Sequence, residues 1–263
     1  MGVKVFDDIA DMRDLPQGID QRSPARHPDW LGPDDLAVKI EQLREATDWR
    51  IPVHVKLGAC RVGDDVKLAA KAGADAIVID SMVAGTGASA EVLIEHSGIP
   101  TVPAIVMARE ALRELGLYGK VTLIASGGIR NGADAAKALA LGADAVAIGT
   151  AGLIALNCNK EIPGSDFESE VGVPAGFCHH CHTGKCPVGI ATQNPELTKR
   201  LDSDEAAERV ANFLNSMTME MALLTRSLGK SDVHSLEPED LAALTIEASA
   251  MARVPLVGTN KVY

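Results

Sequence analysis

Between Cys178 and Cys186 the sequence reads Cys-His-His-Cys-His-Thr-Gly-Lys-Cys and continues into Pro187. Three thiols and three imidazoles in nine residues are a dense set of soft ligands. A cysteine followed directly by proline recurs in iron–sulfur ligand runs. A CxxC beside histidines equally suits a tetrahedral zinc. The residues leave both open, and the plain alternative is a reactive loop without metal. The chain has five cysteines, the others being Cys60 and Cys158. An odd number, three of them clustered, fits metal ligation in a reducing compartment better than a disulfide framework.

A second set of residues suits an anion. Ser126-Gly127-Gly128 and Gly149-Thr150 each follow a short apolar run, and Gly85-Thr86-Gly87-Ala88-Ser89 follows a third. In a βα barrel the loops after the last two strands commonly hold phosphate on backbone N–H groups and a helix N-terminus. Ser126 and Thr150 are expected to add hydroxyl donors and Arg130 a positive charge. The alternative is that these glycines only make tight turns. Lys56 stands inside an apolar run, where alternation puts it with His54 and Gly58 on one face and Val53, Val55 and Leu57 on the other. A lysine aimed into a barrel mouth is costly unless it meets an anion or a reduced cofactor. A strand-end lysine that snorkels to solvent is the bland reading.

The elements that must position these residues are legible as alternating strands and helices. Leu36, Ile40 and Leu43 recur at helical spacing after Pro33-Asp34-Asp35. Strands are expected at 52–58, 75–80, 121–126 and 143–148. Helices are expected at about 63–72, 88–97, 103–116 and 131–141, with a long one from about Asp204 to Leu228 capped by Ser203 or Asp202. Gly98 reads as a helix-ending loop away from the anion turns. Lys71-Ala72-Gly73-Ala74-Asp75-Ala76 echoes Ala140-Leu141-Gly142-Ala143-Asp144-Ala145, a repeat that suits a barrel or a doubly wound sheet.

Four βα units are visible where a closed barrel needs eight. The fold class is therefore α/β, the C-terminal half of a (β/α)8 TIM barrel with about four parallel βα units. A Cys-rich loop and a C-terminal helical extension follow it. The expected division is an extended arm over 1–33, a half-barrel over 34–156, a Cys-rich segment over 157–195, and helices and tail over 196–263. Open strand edges and a bare inner face call for another polypeptide or a second copy.

Composition agrees. Apolar residues make up 46% and aromatics 3%, so the core must come from Ala, Val, Ile and Leu. A net charge of −11 without a basic cluster argues against nucleic acid. No run approaches the ~20 apolar residues that span a bilayer. No signal-peptide stretch opens the sequence, so a cytoplasmic protein is expected.

The segments Gly149–Cys158 (GTAGLIALNC) and Cys181–Gln193 (CHTGKCPVGIATQ) resemble the end of the flavin-binding synthase domain of glutamate synthase. There, a segment of the first kind leads into one that binds a 3Fe–4S cluster beside FMN. Gly85–Ser89 resembles the family's GTGAS loop, and Ser126-Gly127-Gly128 its flavin-phosphate turn. The similarity covers about residues 20 to 260. In the family's usual pattern the first cluster cysteine lies close before the second. Here Cys158 matches it by context, but an insertion separates it from Cys178 and Cys181. That insertion, with Arg26-His27-Pro28-Asp29-Trp30, is more similar to the archaeal-type and N-methylglutamate-synthase-like branch. The family's first barrel strands and its glutaminase cysteine have no counterpart.

The resemblance implies an oxidoreductase in which 2-oxoglutarate and ammonia, or an amine, form 2-iminoglutarate and reduced FMN converts it to glutamate. It implies flavin contacts from Lys56, Gly85, Thr86, Gly87, Ser126, Gly127, Gly128, Arg130, Gly149 and Thr150, with Lys56 also the catalytic candidate. It implies a 3Fe–4S or 4Fe–4S cluster on Cys158, Cys178, Cys181 and Cys186. Expected partners are a polypeptide completing the barrel, a glutaminase subunit and an electron-donor subunit. Rival readings are a non-catalytic half-barrel acting in assembly or regulation, an N-methylglutamate synthase subunit, and a flavin dehydrogenase of dihydroorotate or IMP type. The cysteine segment speaks against the last.

Overall fold

The four apolar runs form strands, and helices follow each as the 3.6-residue spacing of their Ala, Val and Leu residues requires. The computed structural model describes residues 2–20, 27–86, 89–158, 167–174 and 177–263. Asp7–Arg13 (α1) and Pro33–Ala46 (α2) precede His54–Gly58 (β1), then come Val62–Lys71 (α3) and Ala76–Asp80 (β2). Glu91–His96 (α4), Thr101–Glu114 (α5), Thr122–Ser126 (β3), Gly132–Ala140 (α6) and Ala145–Ala147 (β4) follow. Thr150–Ala155 (α7), Phe167–Val171 (α8), Pro195–Thr198 (α9), Ser203–Ser227 (α10) and Ile246–Ala252 (α11) complete the order. Two compact units result. One comprises Met1–Arg26, Thr86–Glu91 and Thr150–Leu214, the other His27–Gly85, Val92–Gly149 and Asn215–Tyr263.

The second unit contains the sheet. Its strands are all parallel and lie in the order β1-β2-β3-β4. The order follows the sequence without reversing, as in a barrel wall; a doubly wound sheet reverses at a switch point. The sheet is half of such a barrel and does not close on itself, so β1 and β4 are edges.

The two faces of the sheet differ. Alternation and register group Val55, Ile77, Ile79, Leu123 and Ala125 on one face, all buried, where α3, α5 and α6 pack. Val62, Val66, Ile105, Val106 and Leu112 from α3 and α5 fill that layer. The opposite face presents His54, Lys56 and Gly58 of β1, Thr122 of β3 and Ala145 of β4, all exposed.

The internal repeat has a physical basis. Gly73 (φ +100°) and Gly142 (φ +115°) take the left-handed region that ends α3 and α6. The following aspartates then fasten the neighbouring strands. Asp75 Oδ2 accepts from the Val53 N–H at 2.7 Å, and Asp144 Oδ2 accepts from the Leu123 N–H at 2.7 Å. Arg44 on α2 adds a 3.0 Å ion pair to Asp75.

Several elements depart from the sequence reading. Residues 1–33 are not extended throughout, because Asp7–Arg13 is helical. The strand expected at 143–148 shortens to Ala145–Ala147. The tail contains α11, capped by Thr245, whose side chain accepts from the Ala248 N–H. Asp202 caps α10, its Oδ1 accepting from the Asp204 and Glu205 N–H groups at 3.1 Å each. Among the described residues no helix is long and apolar enough to cross a membrane.

Candidate functional site

The open face of the sheet carries charge at the C-terminal ends of its strands. Lys56 on β1 reaches diagonally to Asp80 at the end of β2, with Nζ 3.1 Å from Oδ2. The other carboxylate oxygen, Oδ1, accepts from Ser126 Oγ at the end of β3 at 2.6 Å. A cation, a carboxylate and a hydroxyl thus span three strands, Asp80 and Ser126 in register and Lys56 two positions earlier on its strand. Lys56 is 61% exposed and Asp80 29%, so solvent still reaches the pair. Ser126 is buried.

Asp80 was not among the residues expected to matter. Its one sequence signal is a carboxylate ending the apolar run Ala76–Asp80. The bond from Ser126 also reassigns that hydroxyl. Its proton goes to Asp80, leaving only lone pairs for any anion in the turn.

Backbone bonds lock these strand ends together. The Ala59 N–H donates to the Asp80 carbonyl at 2.9 Å, and the Ser81 N–H to the Ser126 carbonyl at 3.0 Å. Beneath the Gly127 turn, buried Ser81 shares a 2.7 Å bond with Thr101, whose hydroxyl donates to the Gly127 carbonyl at 2.9 Å. A Cβ on Gly127 (φ +115°) would stand 2.2 Å from Ser81 Oγ. Gly127 is therefore demanded by the fold itself. Gly128 (φ +73°) is freer, its Cβ position lying 3.2 Å from Val83 Cγ2.

The helix after that turn does not offer its N-terminus. Asn131 Oδ1 accepts from the Asp134 N–H at 2.9 Å, and Glu220 Oε2 from the Gly132 N–H at 2.6 Å. Arg130 folds back on Asp134 with Nε 3.0 Å from Oδ2, and that pairing raises its pKa. These groups satisfy one another. The turn before α7 differs, since a Cβ on Gly149 would meet nothing within 4 Å. Thr150 is exposed and begins α7. Gly85 lies against the Met82 carbonyl, Thr86 accepts from the Ser89 N–H at 3.0 Å, and Gly87 lies outside the described residues. Gly98, expected to be an inert loop glycine, has φ +87° and packs its Cβ position 3.3 Å from Met82 Cβ.

The other unit gathers the cysteines. Buried Cys186 and Val188 form an apolar knot, against which Cys158, Cys178, Val171, Ile190 and Ala191 pack. The Cys158 thiol has its pKa raised by burial first and then by the charges of Cys181, Cys186 and Cys178. The insertion therefore does not exile Cys158, which packs with Cys178 against Cys186. Thiols are the soft donors that zinc and iron–sulfur centres use, so the donor set fits such a centre by its chemistry. Among the described residues, however, no three His, Cys, Asp or Glu side chains are drawn together tightly enough to hold a single metal ion. His180 is anchored by the Val171 carbonyl at 3.0 Å and by Thr183 Oγ1 at 3.3 Å, whereas His182 Nδ1 is buried without a partner among the described residues.

Comparison with known proteins places this geometry. Residues 1–231 match the family model described as the conserved region in glutamate synthase. A glutamate synthase large subunit-like protein of Rhizobium meliloti (strain 1021) is 55% identical over 99% of this chain and 59% of its own length. An archaeal glutamate synthase [NADPH] of Methanocaldococcus jannaschii is 43% identical over 89% of this chain and 43% of its own. The glutamate synthase [NADPH] large chain of Bacillus subtilis (strain 168) is 34% identical over 87% of this chain and 14% of its own. The chain spans about half the length of the first two of these relatives. Matched by this family model over residues 1–231, the chain belongs to the glutamate synthase family of oxidoreductases.

Proposed function

We propose that this chain supplies the C-terminal half of the flavin-binding barrel of an enzyme that reduces 2-iminoglutarate, formed from 2-oxoglutarate and ammonia or an amine, to glutamate. The observation that carries the reading is the Lys56–Asp80–Ser126 chain of contacts at the C-terminal strand ends, where barrel enzymes keep their chemistry. When bound, FMN supplies hydride transfer and an iron–sulfur cluster relays single electrons.

The chain's own residues then have distinct tasks. Lys56 offers a cation toward the flavin or the substrate carboxylate, and Asp80 sets its direction. The N–H groups around Gly128 and Gly149 receive the flavin phosphate, with Thr150 adding its hydroxyl. Gly85 and Thr86 line the mouth. Gly127 shapes the turn, while Ser126 and Arg130 hold Asp80 and Asp134.

Cys158, Cys178, Cys181 and Cys186 hold a 3Fe–4S or 4Fe–4S cluster. A single zinc at ~2.3 Å from each sulfur needs its ligands tightly converged. The cysteine followed directly by proline at Cys186-Pro187, as in iron–sulfur ligand runs, favours a cluster over zinc. The remainder of the barrel, a source of ammonia and an electron donor complete the enzyme, in the cytoplasm.

Anaerobic reconstitution of the chain tests the reading. Iron and sulfide should load together with a broad visible absorbance, and Cys181→Ser or Cys186→Ser should lose both, since oxygen is a poor substitute for thiolate. Stoichiometric zinc, or iron and sulfide persisting in both variants, overturns the cluster. Supplying the remainder of the barrel should convert weak FMN binding into tight binding, and weak binding by the completed barrel overturns the flavin assignment.

A further inference from the structure

The first twenty residues have no task in the reaction described above, yet they touch the cysteine segment. Lys4 Nζ donates to the Cys181 carbonyl at 2.6 Å, across 177 positions of sequence. Lys4 is half-buried, and among the described residues no carboxylate pairs with its ammonium.

The lysine does not arrive on a loose end. The Gly2 N–H is bound by Asp20, the Val5 N–H donates to the Gly2 carbonyl at 2.8 Å, and the Gly18 N–H to the Val5 carbonyl at 3.2 Å. A Cβ on buried Gly2 would stand 2.0 Å from the Gly18 carbonyl, so residues 2 and 18 meet backbone to backbone. The strap lies over Gly184, whose Cβ position is 3.5 Å from Lys4 Cγ and 3.6 Å from Val3 Cγ2. Gly184 sits between Cys181 and Cys186. A fixed positive charge is thereby held against the backbone of one thiol-bearing residue and over the link to the next.

We propose that Lys4 is a positioning residue that raises the reduction potential of the cluster on these cysteines. The inference rests on the iron–sulfur reading given above. One-electron reduction adds one negative charge to the cluster. A nearby ammonium stabilises the reduced form more than the oxidised one, and charge and hydrogen bonding around the sulfurs set cluster potentials. Carbonyl and sulfur belong to the same residue, so covalent geometry keeps the ammonium within about 7 Å of the Cys181 sulfur. Lys4 is exposed enough for salt to screen it in part.

The test is the midpoint potential of the reconstituted full chain, with iron and sulfide measured alongside. Lys4→Gln should keep iron and sulfide at the wild-type ratio while its midpoint moves to a more negative value. Lys4→Arg should return the midpoint close to wild type, and the gap between wild type and Lys4→Gln should narrow at high salt. An unchanged midpoint in Lys4→Gln overturns the proposal. So does loss of cluster in both variants, because the strap would then act by packing. A wild-type chain that takes up no iron or sulfide overturns the cluster reading instead, and is told apart from the other failures by that analysis alone.

Discussion

Lys56 and Asp80 meet across neighbouring parallel strands with Nζ 3.1 Å from Oδ2, although their register partners are Val78 and Gly58. The diagonal reach aims the lysine along the strands toward their C-terminal ends. Solvent screens this pair, so its own worth to stability is at most about 1 kcal/mol. Asp80 is worth more to buried Ser126, whose hydroxyl has it as acceptor.

Two substitutions separate those effects. Asp80→Asn keeps an oxygen for Ser126 and should change unfolding free energy by less than about 1 kcal/mol. Asp80→Ala strands the Ser126 hydroxyl and should cost about 1–3 kcal/mol. Urea unfolding of the two variants decides it. Equal losses would mean that Ser126 does not depend on Asp80.

Acid should act on the neighbouring repeat through Asp75. Burial works to raise this carboxyl's pKa, but the Val53 N–H and Arg44 together outweigh it and leave the value below 3.8. A depressed folded pKa means stability that is fully present above 3.8 and drains away as pH falls through the folded value. The side chain is 38% exposed, which limits the effect to about 1 kcal/mol or less. The stability difference between wild type and Asp75→Asn should therefore be constant from pH 7 to 5 and shrink below pH 4. A difference that grows on acidification would contradict this assignment.

The half-barrel was legible because its signals are local. Each strand is a short apolar run, and Gly73 and Gly142 mark helix ends where the left-handed backbone excludes most side chains. The repeat was visible, but the task of Asp75 and Asp144 was not, since it depends on strands Val53 and Leu123 that lie 22 and 21 positions away. Cys178, Cys181 and Cys186 were found by density, and Cys158 only by the likeness of its surrounding segment to the family. Asp80, Glu220 and Lys4 were missed for a common reason. Each acts on a residue that only the tertiary fold brings near, as with Glu220 on Gly132 across 88 positions. Short α7 and α11 escaped notice because six or seven residues show too little periodicity to separate from loop.

The glycines at the strand ends make the sharpest test, because the structure divides them into two kinds. Gly127 must stay glycine for the fold, since its Cβ position collides with Ser81 Oγ and its φ is +115°. Gly127→Val should therefore lower the melting temperature whether or not flavin is present. Gly149 has open space around its Cβ position, so Gly149→Val should leave the melting temperature nearly unchanged. In an assembly with the rest of the barrel, the same valine would occupy the approach to the phosphate. Each charge-assisted hydrogen bond lost is worth roughly 1.5–3 kcal/mol, so FMN affinity should fall about ten- to a hundredfold. Gly98 is unusable as a control, because its positive φ and its contact with Met82 make any substitution there strained. Gly63, near the start of α3 with nothing within 4 Å of its Cβ position, serves instead, and Gly63→Ala should alter neither stability nor affinity adversely. Wild-type FMN affinity in Gly149→Val would move the phosphate to another loop, and a large drop in its melting temperature would mean that the open space around residue 149 is filled by protein.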